Sequence, residues 1–163
     1  VAKDIRVDLD KLFGDGAGFL GQFVKFSHAD EAKAWFLDIC MKLKQSIATD
    51  RQSSYNKLVD EAKEYILAHY GDHDISIAKV CQHLHISTGY FSNIFKKETK
   101  TTFVNYLMGV RMDAAQDLLV TTDLKAFEIA ERVGFADPNY FSFCFRKKFG
   151  ISPKEYRIGA RSS

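Results

Sequence analysis

From residue 55 onward the apolar positions recur in blocks at i, i+3, i+4 and i+7, separated by short polar stretches, and that period predicts amphipathic helices. Leu58, Ala62, Tyr65, Ile66 and His69 mark one helix, stopped at Gly71. Ile75-Ser76-Ile77 leads into a short helix ending near Leu84, and Ser87 caps the next, from Thr88 to about Lys97. A longer helix carries Phe103, Leu107, Val110, Met112, Ala114, Ala115, Leu118 and Leu119 as its stripe. Short helices over about 125–133, 138–148 and 153–157 complete the run. Asp137-Pro138 and Ser152-Pro153 have the cap-then-proline order of a helix start. No stretch after residue 55 reads as a strand.

Upstream, Trp35, Phe36, Ile39, Cys40, Leu43 and Ile47 predict another helix, with Ser27 or Asp30 placed to cap it. The polar segment 49–54 reads as a hinge or a loose continuation of that helix, and the domain boundary is placed there. Residues 4–10 alternate like a strand, 14–18 form a glycine-rich turn, and 19–26 read as helix. The fold class expected is all-α: two helix-turn-helix subdomains joined by a long central helix, plus a mostly helical N-terminal segment.

Two blocks are copies of one pattern. The first runs Val80-Cys81-Gln82-His83-Leu84-His85-Ile86-Ser87, then Tyr90-Phe91-Ser92 and Phe95-Lys96-Lys97, closing on Tyr106. The second runs Ile129-Ala130-Glu131-Arg132-Val133-Gly134-Phe135-Ala136, then Tyr140-Phe141-Ser142 and Phe145-Arg146-Lys147, closing on Tyr156. Tyr90/Tyr140, Phe95/Phe145 and Tyr106/Tyr156 are each 50 residues apart, whereas Val80/Ile129 are 49 apart, so Pro138 is a one-residue insertion. Two copies are too few for a solenoid and indicate a tandem of one small module.

The module meets the demands of a helix-turn-helix, in which a first helix braces a second that enters the major groove. Cys81 and Ala130 supply the small residue where the helices cross. Gly134 suits an awkward turn conformation, and His85 must adopt it less comfortably. In the second helices Phe91, Ile94 and Phe95, or Phe141, Cys144 and Phe145, can face inward. That leaves Thr88, Gly89, Ser92 and Asn93, and Pro138, Asn139, Ser142 and Phe143, outward as candidate base contacts, with Tyr90 at the edge. The plainer alternative is two similar helix pairs of an all-α bundle.

Charge favours the first reading. Net charge is only +2, and residues 1–55 hold 8 basic and 8 acidic groups. Residues 138–163, however, hold Arg146, Lys147, Lys148, Lys154, Arg157 and Arg161 against Glu155 alone. Lys96, Lys97 and Lys100 occupy the matching place in the first copy, as expected if both copies face a polyanion. Lys96, Lys97, Lys100, Arg146 and Lys147 are the candidate phosphate contacts. A solvated helix end whose cations favour the C-terminal dipole is the bland alternative.

Other chemistry finds little support. Cys81, His83 and His85 at i, i+2 and i+4 cannot all face one ion on a regular helix, so no metal is expected. No nucleophile elbow, paired-carboxylate site or phosphate-cradling loop is recognisable, so neither an enzyme nor a cofactor is expected. Cys40, Cys81 and Cys144 are odd in number and sit in apolar contexts, which points to reduced thiols in a cytoplasmic protein. No apolar run reaches membrane-spanning length. The start, at Val1 without an initiator Met or a signal-peptide pattern, suggests a fragment or processed chain with its controlling domain elsewhere.

The second copy, Ile129-Ala130-x-x-Val133-Gly134-Phe135-x-Asp137-x-x-Tyr140-Phe141-Ser142-x-x-Phe145-Arg146-Lys147-x-Phe149-Gly150-x-Ser152-Pro153-x-x-Tyr156-Arg157, resembles the signature of AraC/XylS-type transcription regulators. Arg111-Met112-x-x-Ala115-x-x-Leu118-Leu119 is similar to the helix that joins the two units in that family. The resemblance covers about residues 57–157. It implies a seven-helix, two-headed domain holding two recognition helices in successive major grooves of double-stranded DNA. The segment before it resembles, more loosely, the linker of YesN-like response regulators. The expected organisation is a linker or edge of a regulatory region over 1–55, the DNA-binding domain over 56–158 with units at about 76–98 and 125–149, and a tail over 159–163. RNA polymerase is an expected partner, as is a second copy joined through residues 1–55 or an upstream domain. The setting expected is the bacterial cytoplasm, at the nucleoid, with activation among the expected roles. The family often carries a long polar residue where this chain has Asn93 and Phe143. Asn pairs best with adenine and an aromatic ring contacts only a thymine methyl, so an A·T-richer site is expected there. A helical adaptor module that binds protein rather than DNA is the competing reading.

Overall fold

The computed structural model describes Phe26 and residues 28–161. Those residues form seven helices and no strand: α1 (Ala29–His69), α2 (Ile77–His83), α3 (Thr88–Thr99), α4 (Phe103–Thr121), α5 (Ala126–Arg132), α6 (Pro138–Phe149) and α7 (Pro153–Arg161). The chain divides into two compact units, residues 1–56 and 57–163.

Of the first unit, the described part is mainly the start of α1, a helix that runs on past residue 56 into the second unit. It starts at Ala29, and the His28 carbonyl accepts from the Glu31 and Ala32 amides at 3.2 and 3.4 Å. Asp30 is therefore not the cap expected of it; it lies in the first turn, where its charge favours the positive helix end. The other candidate cap, Ser27, lies outside the described residues, as do the alternation over 4–10, the turn over 14–18 and the helix expected over 19–26, save for the non-helical Phe26. Segment 49–54 is helical. Its polar side chains fold onto their own helix, Thr49 Oγ1 donating to the Gln45 carbonyl at 3.0 Å and Ser54 Oγ to that of Asp50 at 2.9 Å.

The second unit is built from the repeat. In each copy a short helix ends in the same closure. The amides of Ile86 and Phe135 donate to the carbonyls of Cys81 and Ala130, at 3.0 and 2.8 Å. The amides of His85 and Gly134 donate to those of Gln82 and Glu131, at 3.3 and 3.0 Å. This pair of bonds is a Schellman ending, which needs a left-handed residue; His85 has φ 54° and Gly134 φ 87°. The second helix of each copy ends likewise on a left-handed residue, Lys100 (φ 60°) or Gly150 (φ 82°). The repeat extends to the aromatic core: Phe95 meets Tyr106 edge-on at 5.4 Å, and Phe145 meets Tyr156 edge-on at 5.6 Å.

The tyrosines reveal the architecture. Tyr106 sits on the first turn of α4 and Tyr156 on α7, so the start of α4 is to α2–α3 what α7 is to α5–α6. The central helix serves both halves. Its Phe103 and Leu107 are buried beside Phe91, Ile94 and Phe95. Its Met112, Ala115 and Leu119 join Ile129, Ala130, Val133, Phe135, Phe141 and Phe145 in the second core. Each large buried side chain of this kind contributes roughly 1.5–3 kcal/mol by leaving water, so α4 is held at both ends by packing.

Candidate nucleic-acid interface

Each recognition helix begins with a side-chain cap. Ser87 Oγ accepts from the Tyr90 amide at 3.4 Å, and Asp137 Oδ1 accepts from the Asn139 amide at 2.8 Å, with Pro138 in the first turn. Phe91, Ile94 and Phe95 of α3 are buried, as are Phe141 and Phe145 of α6, with Cys144 half-buried. The opposite face is presented to solvent: Thr88, Gly89, Ser92 and Asn93 on α3, and Pro138, Asn139 and Phe143 on α6, are exposed, and Ser142 is half-exposed. Phe143 is 63% exposed, an apolar ring on an otherwise polar face. Ser92 and Ser142 occupy equivalent places, and each hydroxyl donates to the carbonyl four residues back, Thr88 at 2.7 Å and Pro138 at 2.9 Å. In that rotamer each offers its lone pairs outward.

The cations divide into two groups. Lys96, Lys97, Lys100, Arg146 and Lys147 stand exposed at the C-terminal ends of α3 and α6; Lys100 Nζ also donates to the Lys97 carbonyl at 2.8 Å, and Lys97 lies 3.9 Å from Glu98. The charge run over 138–163 is less uniform than it reads in sequence, because three of its six cations turn toward the protein. Lys148 pairs with Asp113 and donates to the Gly109 carbonyl. Arg157 donates to the carbonyls of Leu119 (3.1 Å) and Leu124 (2.6 Å), and Arg161 to the carbonyl of Thr122 and the carboxylate of Asp123, both at 2.8 Å. These arginines satisfy the Leu119 carbonyl, in the last turn of α4 where helical partners run out, and the carbonyls of Thr122 and Leu124 in the loop that follows. Nothing in the sequence distinguishes them from groups facing solvent.

The first repeat uses Arg111 in the same way. Its Nε donates to the Tyr70 carbonyl and its Nη2 to that of Asp72, both at 2.8 Å, closing the end of α1. Burial pushes the Arg111 guanidinium below its ordinary value, partly opposed by Asp72. Unlike Arg157 and Arg161, Arg111 also meets the other repeat: its guanidinium lies 5.5 Å from the Phe135 ring centre. Sequence reading placed it only as part of a joining-helix motif; the signal was a cation set beside the apolar stripe of α4.

Cys81 is buried, and burial raises its thiol above the ordinary value. His83 and His85 are exposed, and no cluster of three potential metal ligands occurs among the described residues. No described helix is long and apolar enough to cross a membrane.

This arrangement has counterparts. A family model described as a helix-turn-helix domain matches residues 80–158. The chain is 36% identical over 101 residues to the arabinose operon regulatory protein of Escherichia coli, covering 62% of this chain and 35% of that protein. It thus spans about a third of the length of the curated relatives it matches. Among solved structures, the C-terminal domain of the two-component response regulator yesN from Fusobacterium nucleatum is 43% identical, with 59% of this chain and 93% of that one covered and a TM-score of 0.57. The DNA-binding domain of AdpA, a global transcriptional factor solved in complex with a target DNA, is 28% identical, with 64% and 93% covered and a TM-score of 0.61. Two matched helix-turn-helix units on one central helix, together with these likenesses, show that the chain belongs to the AraC/XylS family of DNA-binding transcription regulators.

Proposed function

We propose that the domain reads double-stranded DNA with α3 and α6 in successive major grooves on one face of the duplex. The observation that carries this is the pair of matching turn closures on one central helix, each presenting a short polar helix start to solvent. Thr88, Gly89, Ser92 and Asn93 read one half-site, and Pro138, Asn139, Ser142 and Phe143 the other. Lys96, Lys97, Lys100, Arg146 and Lys147 hold the flanking phosphates, supplying affinity without sequence information. Asn93 favours adenine and Phe143 a thymine methyl, and serines that offer lone pairs accept from cytosine or adenine amino groups.

Bound in this way the protein regulates transcription in the bacterial cytoplasm, meeting RNA polymerase at the promoter, and no catalysis is part of the reading. The likeness to the yesN domain supports a response regulator. Residues 1–55 then link the domain to a regulatory region, and they or an upstream domain bring two copies together. Exposed Phe36, Leu37 and Met41 on α1 support that pairing. Selection of bound duplexes from a randomised pool tests the core of the proposal. Two motifs about one helical turn apart are expected. A single motif would reduce one unit to a phosphate grip, and no enrichment would leave the protein-binding adaptor.

A further inference from the structure

We infer that Arg111 is a specificity-determining residue of a different kind from the base readers: it fixes the distance between the two half-sites the domain accepts. The inference rests on two-headed reading of DNA. Arg111 stands where the two repeats meet. Its hydrogen bonds go to Tyr70 and Asp72, just past the end of α1 and ahead of the first helix-turn-helix. Its guanidinium face lies against Phe135, in the turn of the second. Gly134 leaves room for that approach: a Cβ there would lie 2.5 Å from both Arg111 Nη2 and the Tyr70 carbonyl oxygen. A second close approach lies alongside, where a Cβ on Gly71 would be 3.0 Å from the carbonyl oxygen of Arg132. Tyr70 itself packs against the second core. The end of α1 therefore touches the turn that leads into α6, and Arg111 is the polar tie across that joint.

The second repeat provides an internal comparison. Arg157 and Arg161 close the end of α4 as Arg111 closes the end of α1, but they serve one core only. In the first repeat the same kind of cap has become the seat for the second unit. With the tie intact, α3 and α6 move as one body and tolerate one spacing. Without it, α4 alone connects them, and its bending admits neighbouring spacings at the expense of the preferred one.

The test is binding by wild type, Arg111→Lys and Gly71→Ala to the selected two-motif duplex, to duplexes with the motifs one or two base pairs closer or further apart, and to single-motif duplexes. Lysine keeps the charge but lacks the planar fork that bonds the carbonyls while lying against the Phe135 ring, and Gly71→Ala spreads the joint without touching any proposed DNA contact, so one folded variant suffices. Wild type should show a sharp optimum. The variants should lose about tenfold at the optimum, lose less at neighbouring spacings, and bind single motifs as wild type does. A uniform loss on every duplex, or an unchanged spacing profile, overturns the inference. A wild type indifferent to spacing overturns the two-headed reading with it.

Discussion

Replacing Gly134 with alanine adds one methyl group at the joint between the repeats, and its cost can be worked from the geometry. At φ 87° an L-residue carries about 1–2 kcal/mol of backbone strain that glycine escapes. The new Cβ would also lie 2.5 Å from the Tyr70 carbonyl oxygen and from Arg111 Nη2. The carbonyl belongs to the backbone at the end of α1 and cannot swing aside. Arg111 can, but only by giving up its bonds to Tyr70 and Asp72, and hydrogen bonds to charged groups are worth about 1.5–3 kcal/mol each. Strain and the loss of one such bond together give about 2.5–5 kcal/mol, a large share of the stability of an ordinary domain. Urea unfolding followed by circular dichroism at the helix band measures it. A loss under about 1 kcal/mol would refute the reasoning, because it would show that the joint yields and that Gly134 is not held between Arg111 and Tyr70.

His85→Gly tests the other copy of the same turn: relief of about 1–2 kcal/mol of left-handed strain, less the roughly 0.5–1 kcal/mol of chain entropy that glycine adds to the unfolded state, should leave the protein about 0.5–1 kcal/mol more stable in the same assay, and a loss of stability would show that the His85 side chain holds a contact worth more than the strain. Glu155 is held below its ordinary value near 4.5 by hydrogen bonds from the hydroxyl and amide of Ser152. A depressed carboxylate stabilises the fold above its unfolded value and loses that contribution as pH falls through its folded one. Residues 153–161 should therefore lose amide protection below about pH 4.5, and Glu155→Gln should show no such step. Lys96→Ala and Lys147→Ala should each weaken binding to all duplexes alike and flatten the plot of log affinity against log salt by about one unit; an unchanged slope removes that residue from the phosphate set. Iodoacetamide should modify exposed Cys40 long before buried Cys81, whose thiol is raised by burial; equal rates would mean that α2 opens readily.

Most of the helical frame was legible because period and punctuation agreed. Ser87, Asp137 and Ser152 mark helix starts by chemistry that acts within three residues. The repeat spacing located the paired turns because backbone conformation restricts residue choice, as Gly134 and Gly150 show. What stayed hidden was set by contacts distant in sequence. Arg157 and Arg161 read as surface cations because the carbonyls they close lie 38 and 39 residues earlier. Segment 49–54 read equally as hinge or helix because its polar residues stabilise the helix through their own side chains, which leaves no apolar period to find.

The differences between the two copies carry meaning as well. Both have left-handed residues at the same two places, yet the second uses glycine at each and the first uses His85 and Lys100. At Gly134 a side chain would strike the joint, so glycine is required by packing and not only by conformation. At Gly150 a Cβ would meet nothing within 4 Å. Its equivalent, Lys100, shows that a side chain can be carried there at the cost of strain, and this one places a cation at the end of α3. The repeat thus departs from symmetry where one copy must seat against the other, and where a charged side chain gives a strained backbone position a use.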